Sequence, residues 1–157
     1  MRNDQNNFMK HLNKTYLFAF FFLILTLLFM SCKSSKHNED GVKEMMSHYD
    51  HLILKVDADS IALMYTPNGE LGDMAVGRDS IRHFLAGFKN VKVIAQNSTT
   101  TSLVINKDTA IQKGIYTQGD IINEKDTVHV KGEYIARWEW INGEGWRIKR
   151  METKPIQ

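Results

Sequence analysis

Apolar and polar positions change rhythm near residue 90. Val42, Met45, Met46, Tyr49, Leu52, Ile53 and Val56 recur at steps of three and four. That lays one apolar face along four turns and predicts a helix over Gly41–Lys55. Ile61, Leu63, Met64 and Tyr65 carry a second, shorter helix, closed by the turn signal Pro67-Asn68-Gly69. Ile81, Phe84, Leu85 and Phe88 carry a third, with Gly87 near its end. Asp59 and Asp79 stand where the N-caps of these two helices are expected. Between them lies a brief extended piece, Leu71–Val76, holding a single acid, Asp73.

From Val91 the chain turns β-branched and alternating. One long bent strand is expected over Val91–Ile105, a turn at Asn106-Lys107-Asp108, and a second strand over Thr109–Gln118. Gly119–Lys125 reads as a polar connection. Over Asp126–Trp140, Val128, Val130, Tyr134, Ala136, Trp138 and Trp140 share one face. Thr127, His129, Lys131, Glu133, Arg137 and Glu139 share the other, with Ile135 the exception, as in a half-buried antiparallel strand. Asn142-Gly143 turns that strand into Trp146–Met151, a strong hairpin signal. Helices first and strands after predict an α+β domain. Three N-terminal helices pack on a strongly curved, mainly antiparallel sheet of four to six strands. Curving such a sheet over one long helix leaves a cone with an open mouth.

Before this domain, Tyr16–Met30 is a run of apolar residues, short for a membrane span and suited to a signal segment. Arg2, Lys10 and Lys14 supply its positive flank, and translation starts at either Met1 or Met9. The run ends at Met30-Ser31-Cys32, which resembles the lipobox of bacterial lipoproteins, although Phe29 stands where that motif usually has Leu. The resemblance implies that 1–31 is removed, Cys32 is lipidated, and 32–40 is a flexible tether to a domain over 41–157. It implies an exported protein held at the envelope, and Lys33 points to the outer membrane, facing the periplasm. An uncleaved N-terminal anchor is the competing reading.

Cys32 is the single cysteine, so no internal disulfide forms. Setting aside Arg2, Lys10, Lys14 and Asp4 leaves seventeen basic and seventeen acidic side chains from Cys32 onward. A neutral domain has no electrostatic footprint for nucleic acid.

An ordered set of motifs carries a wider resemblance: Asp57-x-Asp59-Ser60-Ile61-Ala62-x-x-Tyr65 with Pro67-Asn68-Gly69, then Gly77-Arg78-Asp79-Ser80-Ile81, then Asn142-Gly143-Glu144-Gly145-Trp146-Arg147-Ile148. Over Gly41–Thr153 it resembles the cone fold of nuclear transport factor 2, ketosteroid isomerase and the SnoaL-like polyketide cyclases. That superfamily mixes enzymes with binding and scaffold domains, so the resemblance implies a pocket and no single activity. Laid on ketosteroid isomerase, the proton-shuttling aspartate falls on Asp73 and the oxyanion-hole tyrosine on Tyr49. The second oxyanion donor falls on Ala136 or Arg137, neither of which serves, so steroid isomerisation is not implied.

Asp73 has two readings: a solvated acid on an edge segment, or a base shielded by Leu71, Met74 and Val76. Tyr49 is either a core tyrosine or a hydrogen-bond donor to a ligand. The face expected to line a pocket carries Tyr65, Met74, Phe84, Tyr116, Tyr134 and Trp138, although the tryptophans also suit the sheet core. His48 and His51 stand outside the apolar stripe and read as a surface pair rather than a metal site. The chain shows no phosphate-binding glycine loop and no zinc spacing, and no cofactor is expected. Three functions stay open: a non-catalytic domain holding a small apolar ligand or a partner, an acid–base isomerase, cyclase or dehydratase using Asp73, or an envelope module that forms a homodimer through its sheet.

Overall fold

The structure, a computed structural model, describes residues 37–88 and 90–156. The signal segment, Cys32 and its lipidation, and most of the tether lie outside the described residues. Helix α1, Glu39–Lys55, starts from Asn38, whose side chain accepts the Gly41 N–H at 3.0 Å. Glu39 and Asp40 in the first turn and Lys55 in the last complement the helix dipole. The helix closes on Val56 at φ 50, with its N–H on Ile53 O and the Asp57 N–H on Leu52 O. That is the double closure of a Schellman motif, here on a β-branched residue that rarely takes a left-handed conformation.

Helices α2, Ala58–Leu63, and α3, Arg78–Ala86, follow. Their caps differ from the sequence expectation. Asp57, not Asp59, caps α2 by accepting the Ser60 N–H at 3.0 Å, because the chain reverses directly after Val56. Helix α3 is entered through Gly77 at φ 84, so no side chain caps it and Asp79 lies in the first turn instead.

The strands are β1, Tyr65–Leu71; β2, Ala75–Val76; β3, Val91–Asn106; β4, Thr109–Ile122; β5, Asp126–Ile141; and β6, Gly145–Pro155. They form one curved sheet in the order β2-β1-β6-β5-β4-β3, antiparallel except for β1 with β6. Pro67-Asn68-Gly69 therefore corrects the sequence reading: it is a bulge inside a strand, not a turn after a helix. Tyr65 pairs with Ile148 and Glu70 already with Arg150, so the residues between are looped out of the ladder. Pro67 has no N–H to give a ladder, which places it in such a bulge. The expected connection from Gly119 also shrinks to a turn, because β4 and β5 stay paired out to Ile122 and Asp126. Register shifts in β3 at Val93/Ala95 and Thr100/Ser102, and between β5 and β6 at Arg137/Trp138, bend the sheet around α1.

Trp138, Trp146, Tyr65, Ile61, Ile81 and Ile148 are the large side chains buried most completely. Each such burial contributes about 1.5–3 kcal/mol. His37 stacks on Trp140 at 4.2 Å between ring centroids and lies 3.3 Å from Asp108, tying the start of the described chain to the β3–β4 turn. Among the described residues no helix is long and apolar enough to cross a membrane.

Candidate functional site

Alternation along β4 and β5 turns Tyr116 and Tyr134 to the inward face of the sheet. In the ladder Tyr116 faces Gly132, and Gly114 faces Tyr134. A Cβ on Gly114 would stand 2.5 Å from Tyr134 Cε1, and one on Gly132 would stand 2.7 Å from Tyr116 Cζ. The two glycines thus let each ring lie flat over the neighbouring strand, a close approach only a missing side chain permits.

These rings line a cavity of about 280 Å³ between sheet and helices. Helix α1 contributes Met46, Tyr49 and Ile53, helix α3 contributes Phe84 and Leu85, and Met74 and Met151 close it from the sheet side. Gln96, Ser98, Gln118 and Thr153 are its polar, uncharged lining besides the tyrosines. Among the described residues, no carboxylate, imidazole, amine or guanidinium group belongs to the wall.

The tyrosine pair on the helix side has a direction. Tyr49 and Tyr65 place their hydroxyls 3.4 Å apart, with rings edge to face. Tyr65 is fully buried and Tyr49 lines the cavity. If Tyr49 donated, the Tyr65 proton would have no acceptor among the described residues at a buried site, which costs about 1–3 kcal/mol. Tyr65 therefore donates to Tyr49, and the Tyr49 proton is left for the cavity. Burial pushes the Tyr49 hydroxyl up from its ordinary pKa, and pushes Tyr65 well above. Both stay protonated donors.

Behind the wall, the buried Asp50 of α1 clamps the helix to β3. Its carboxylate accepts the Ser98 N–H at 2.8 Å, the Ser98 hydroxyl at 2.7 Å and Gln96 Nε2 at 3.0 Å. With its nitrogen on Asp50, the Gln96 amide has its oxygen turned away. That oxygen is buried without a donor among the described residues. On the sheet side, Trp138 Nε1 donates to Gln112 Oε1 at 3.0 Å, and Gln112 Nε2 donates to Thr100 Oγ1 at 2.8 Å. Thr100 Oγ1 lies 3.4 Å from the Tyr134 hydroxyl.

Of the expected site residues, the structure brings Tyr49, Met74, Phe84, Tyr116 and Tyr134 together in one wall. Tyr65 stands behind Tyr49, and Trp138 is core, held by Gln112; neither lines the cavity. Asp73 sits in the β1–β2 turn with its side chain 96% exposed and its carboxylate 2.8 Å from Arg150. Leu71, Met74 and Val76 do not shield it: Leu71 and Met74 contribute to the cavity wall, while Val76 is exposed. Arg150 also holds Glu70 and Glu152, and these carboxylates, Asp73 first, keep its guanidinium firmly charged. Ala136 is buried and Arg137 points outward. His48 and His51 are exposed, and among the described residues no cluster of His, Cys, Asp and Glu is arranged to hold a metal.

Sequence reasoning missed Gly114, Gly132, Asp50, Gln96 and Gln112. Signals existed for the first three. Two glycines interrupt alternating strands, and Asp50 stands four residues after the core residue Met46, on a helix face where an acid needs a partner.

No protein-family profile and no curated protein matches the chain. Solved structures do. A ketosteroid isomerase-like protein from Erwinia carotovora atroseptica superposes with a TM-score of 0.65 at 16% identity, covering 73% of this chain and 93% of that one. A nuclear transport factor 2-like superfamily protein from Salmonella enterica gives 0.63 at 15% identity, over 75% of this chain and 90% of that one. A scytalone dehydratase-like protein from Novosphingobium aromaticivorans gives 0.61 at 17% identity, over 74% and 82%. At these identities what is shared is architecture, and on that ground the chain has the cone fold of the nuclear transport factor 2-like superfamily.

Proposed function

We propose that this chain is an exported, lipid-anchored domain that holds a small, neutral, mainly apolar molecule in its cone without transforming it. The observation that carries the reading is the wall itself: an apolar, aromatic cavity of about 280 Å³ with no charged side chain among the described residues that line it. Such a surface rewards removal of apolar area from water and penalises a charged ligand. Acid–base chemistry through Asp73 is the weaker alternative, because its carboxylate is exposed, paired with Arg150 and outside the cavity wall. Anchoring rests on the lipobox-like Met30-Ser31-Cys32, and Cys32→Ser is expected to abolish incorporation of labelled palmitate.

Titration with 1-aminoanthracene, a neutral apolar fluorophore, tests the binding role. Saturable enhancement at one site is expected, lost when Leu85→Trp fills the cavity and kept in Asp73→Asn. Enhancement unaffected by Leu85→Trp would contradict the site. The outward sheet face favours a second reading, pairing of two copies, since Val104 and Ile111 are exposed there at 62% and 40%. Sedimentation of Arg137→Glu checks it: a dimer that separates with the cavity intact supports that role, and an unchanged monomer removes it.

A further inference from the structure

The polar chain that ends at Tyr134 also has a direction. An indole N–H only donates, so Trp138 fixes Gln112 Oε1 as its acceptor. The amide is thereby locked, and its nitrogen faces Thr100 as a donor. Trp138 and Gln112 are buried at 1% and 0%, so neither has water as an alternative partner. The Thr100 and Tyr134 hydroxyls then share one contact and own two protons. One proton is spent between them and one is left over.

Where the spare proton rests is decided by what lies beside each hydroxyl. Thr100 is outside the cavity wall and Tyr134 is part of it. On Thr100, already the acceptor for Gln112, the proton would have no protein acceptor among the described residues; on Tyr134 it faces space an occupant fills. The ring is held in place by Gly114 beneath it, which leaves no room for a Cβ. Burial pushes the Tyr134 hydroxyl up from the ordinary phenol range, Thr100 opposing weakly, so it stays protonated.

We propose that Tyr134, oriented through Trp138, Gln112 and Thr100, is a fixed proton donor that makes the cavity select neutral apolar ligands bearing an acceptor-only head, a carbonyl or ether oxygen, over hydrocarbons of the same shape. The inference rests on the reading of this cavity as a ligand site and adds the chemical class of what it takes. Tyr134 is here a specificity-determining residue, and Thr100 and Gln112 are positioning residues.

The test is a matched pair of probes, 2-tetralone and tetralin, which share a ring skeleton and differ in one carbonyl. Affinities are measured calorimetrically on the full chain in nanodiscs, with empty nanodiscs as the blank. Wild type is expected to prefer the ketone, and Tyr134→Phe to reduce that preference about tenfold, the equivalent of one hydrogen bond, with tetralin affinity unchanged. Thr100→Val, which keeps the phenol but removes the group that orients it, is expected to reduce the preference by a smaller factor. In wild type the carbonyl ¹³C resonance of bound 2-tetralone moves downfield relative to Tyr134→Phe. Tetralin binding with no preference for the ketone, or with a preference that survives Tyr134→Phe, overturns the proposal and leaves the ligand-site reading standing. If neither probe binds wild type, the ligand-site reading falls and takes this proposal with it.

Discussion

At Gly114 and Gly132 the absence of one methyl group gives the cavity its floor. A Cβ at either position would stand within 2.7 Å of the tyrosine ring lying over it, and at Gly132 also within 2.7 Å of Lys154 O. Gly114→Ala and Gly132→Ala are each expected to cost about 1–3 kcal/mol, seen as a lower urea midpoint at unchanged slope, and to weaken occupancy of the cavity. The buried phenols make a separate prediction. Unfolded tyrosine titrates near 10.0, and burial raises Tyr65 and Tyr49 above that in the fold. Below about pH 10 both states keep the proton and the contribution is complete. As pH climbs from there towards the native pKa, the unfolded chain alone ionises, binds fewer protons, and stability falls. Urea midpoints between about pH 9 and 11 are expected to decline less steeply in Tyr65→Phe than in wild type. At this scale the sequence was only partly legible. Tyr49, Tyr116 and Tyr134 were visible as inward aromatics, whereas the roles of Gly114 and Gly132 depend on which strand residue faces which. That register is set by long-range pairing.

Among the elements, α1 is the one whose placement decides whether a cavity exists. Its apolar stripe sets the face it buries, and Asp50 sets where it sits on β3 by gathering Ser98 and Gln96. Asp50→Ala strands three half-buried donors and is expected to destabilise by about 3 kcal/mol, with Asp50→Asn costing less because one acceptor oxygen survives. Chemical denaturation of the two variants checks the order; equal and small losses would mean that the clamp is incidental. The helices were legible because their periodicity and caps are local; the caps shifted, Asp57 replacing Asp59 and Gly77 leaving α3 without a side-chain cap. Helix α2 also stops at Leu63, so that Tyr65, expected on the helix, opens β1 instead. The Pro67-Asn68-Gly69 bulge was not legible. The same three residues serve a turn or a looped-out strand, and only the parallel pairing of β1 with β6 distinguishes them.

For the whole molecule, the cone follows from a bent sheet wrapped on one helix, and its concavity is lined almost wholly by apolar and aromatic groups. The charged residues gather elsewhere: Arg150 with Asp73, Glu70 and Glu152 on one edge, Arg78 and Arg147 with Glu144 on another. That segregation is why a single carboxylate in the sequence, Asp73, suggested a base while the folded chain offers it as a surface ion pair. Composition and strand order showed the architecture, and neither specifies an occupant, since an apolar wall accepts many shapes. Native mass spectrometry of the full chain, purified gently from its own cells, addresses the central claim most directly. A protein that holds a small neutral ligand is expected to carry one recurrent extra mass, released by Leu85→Trp and retained in Asp73→Asn. A bare chain with no bound mass, or a bound mass that Leu85→Trp leaves in place, would contradict the account.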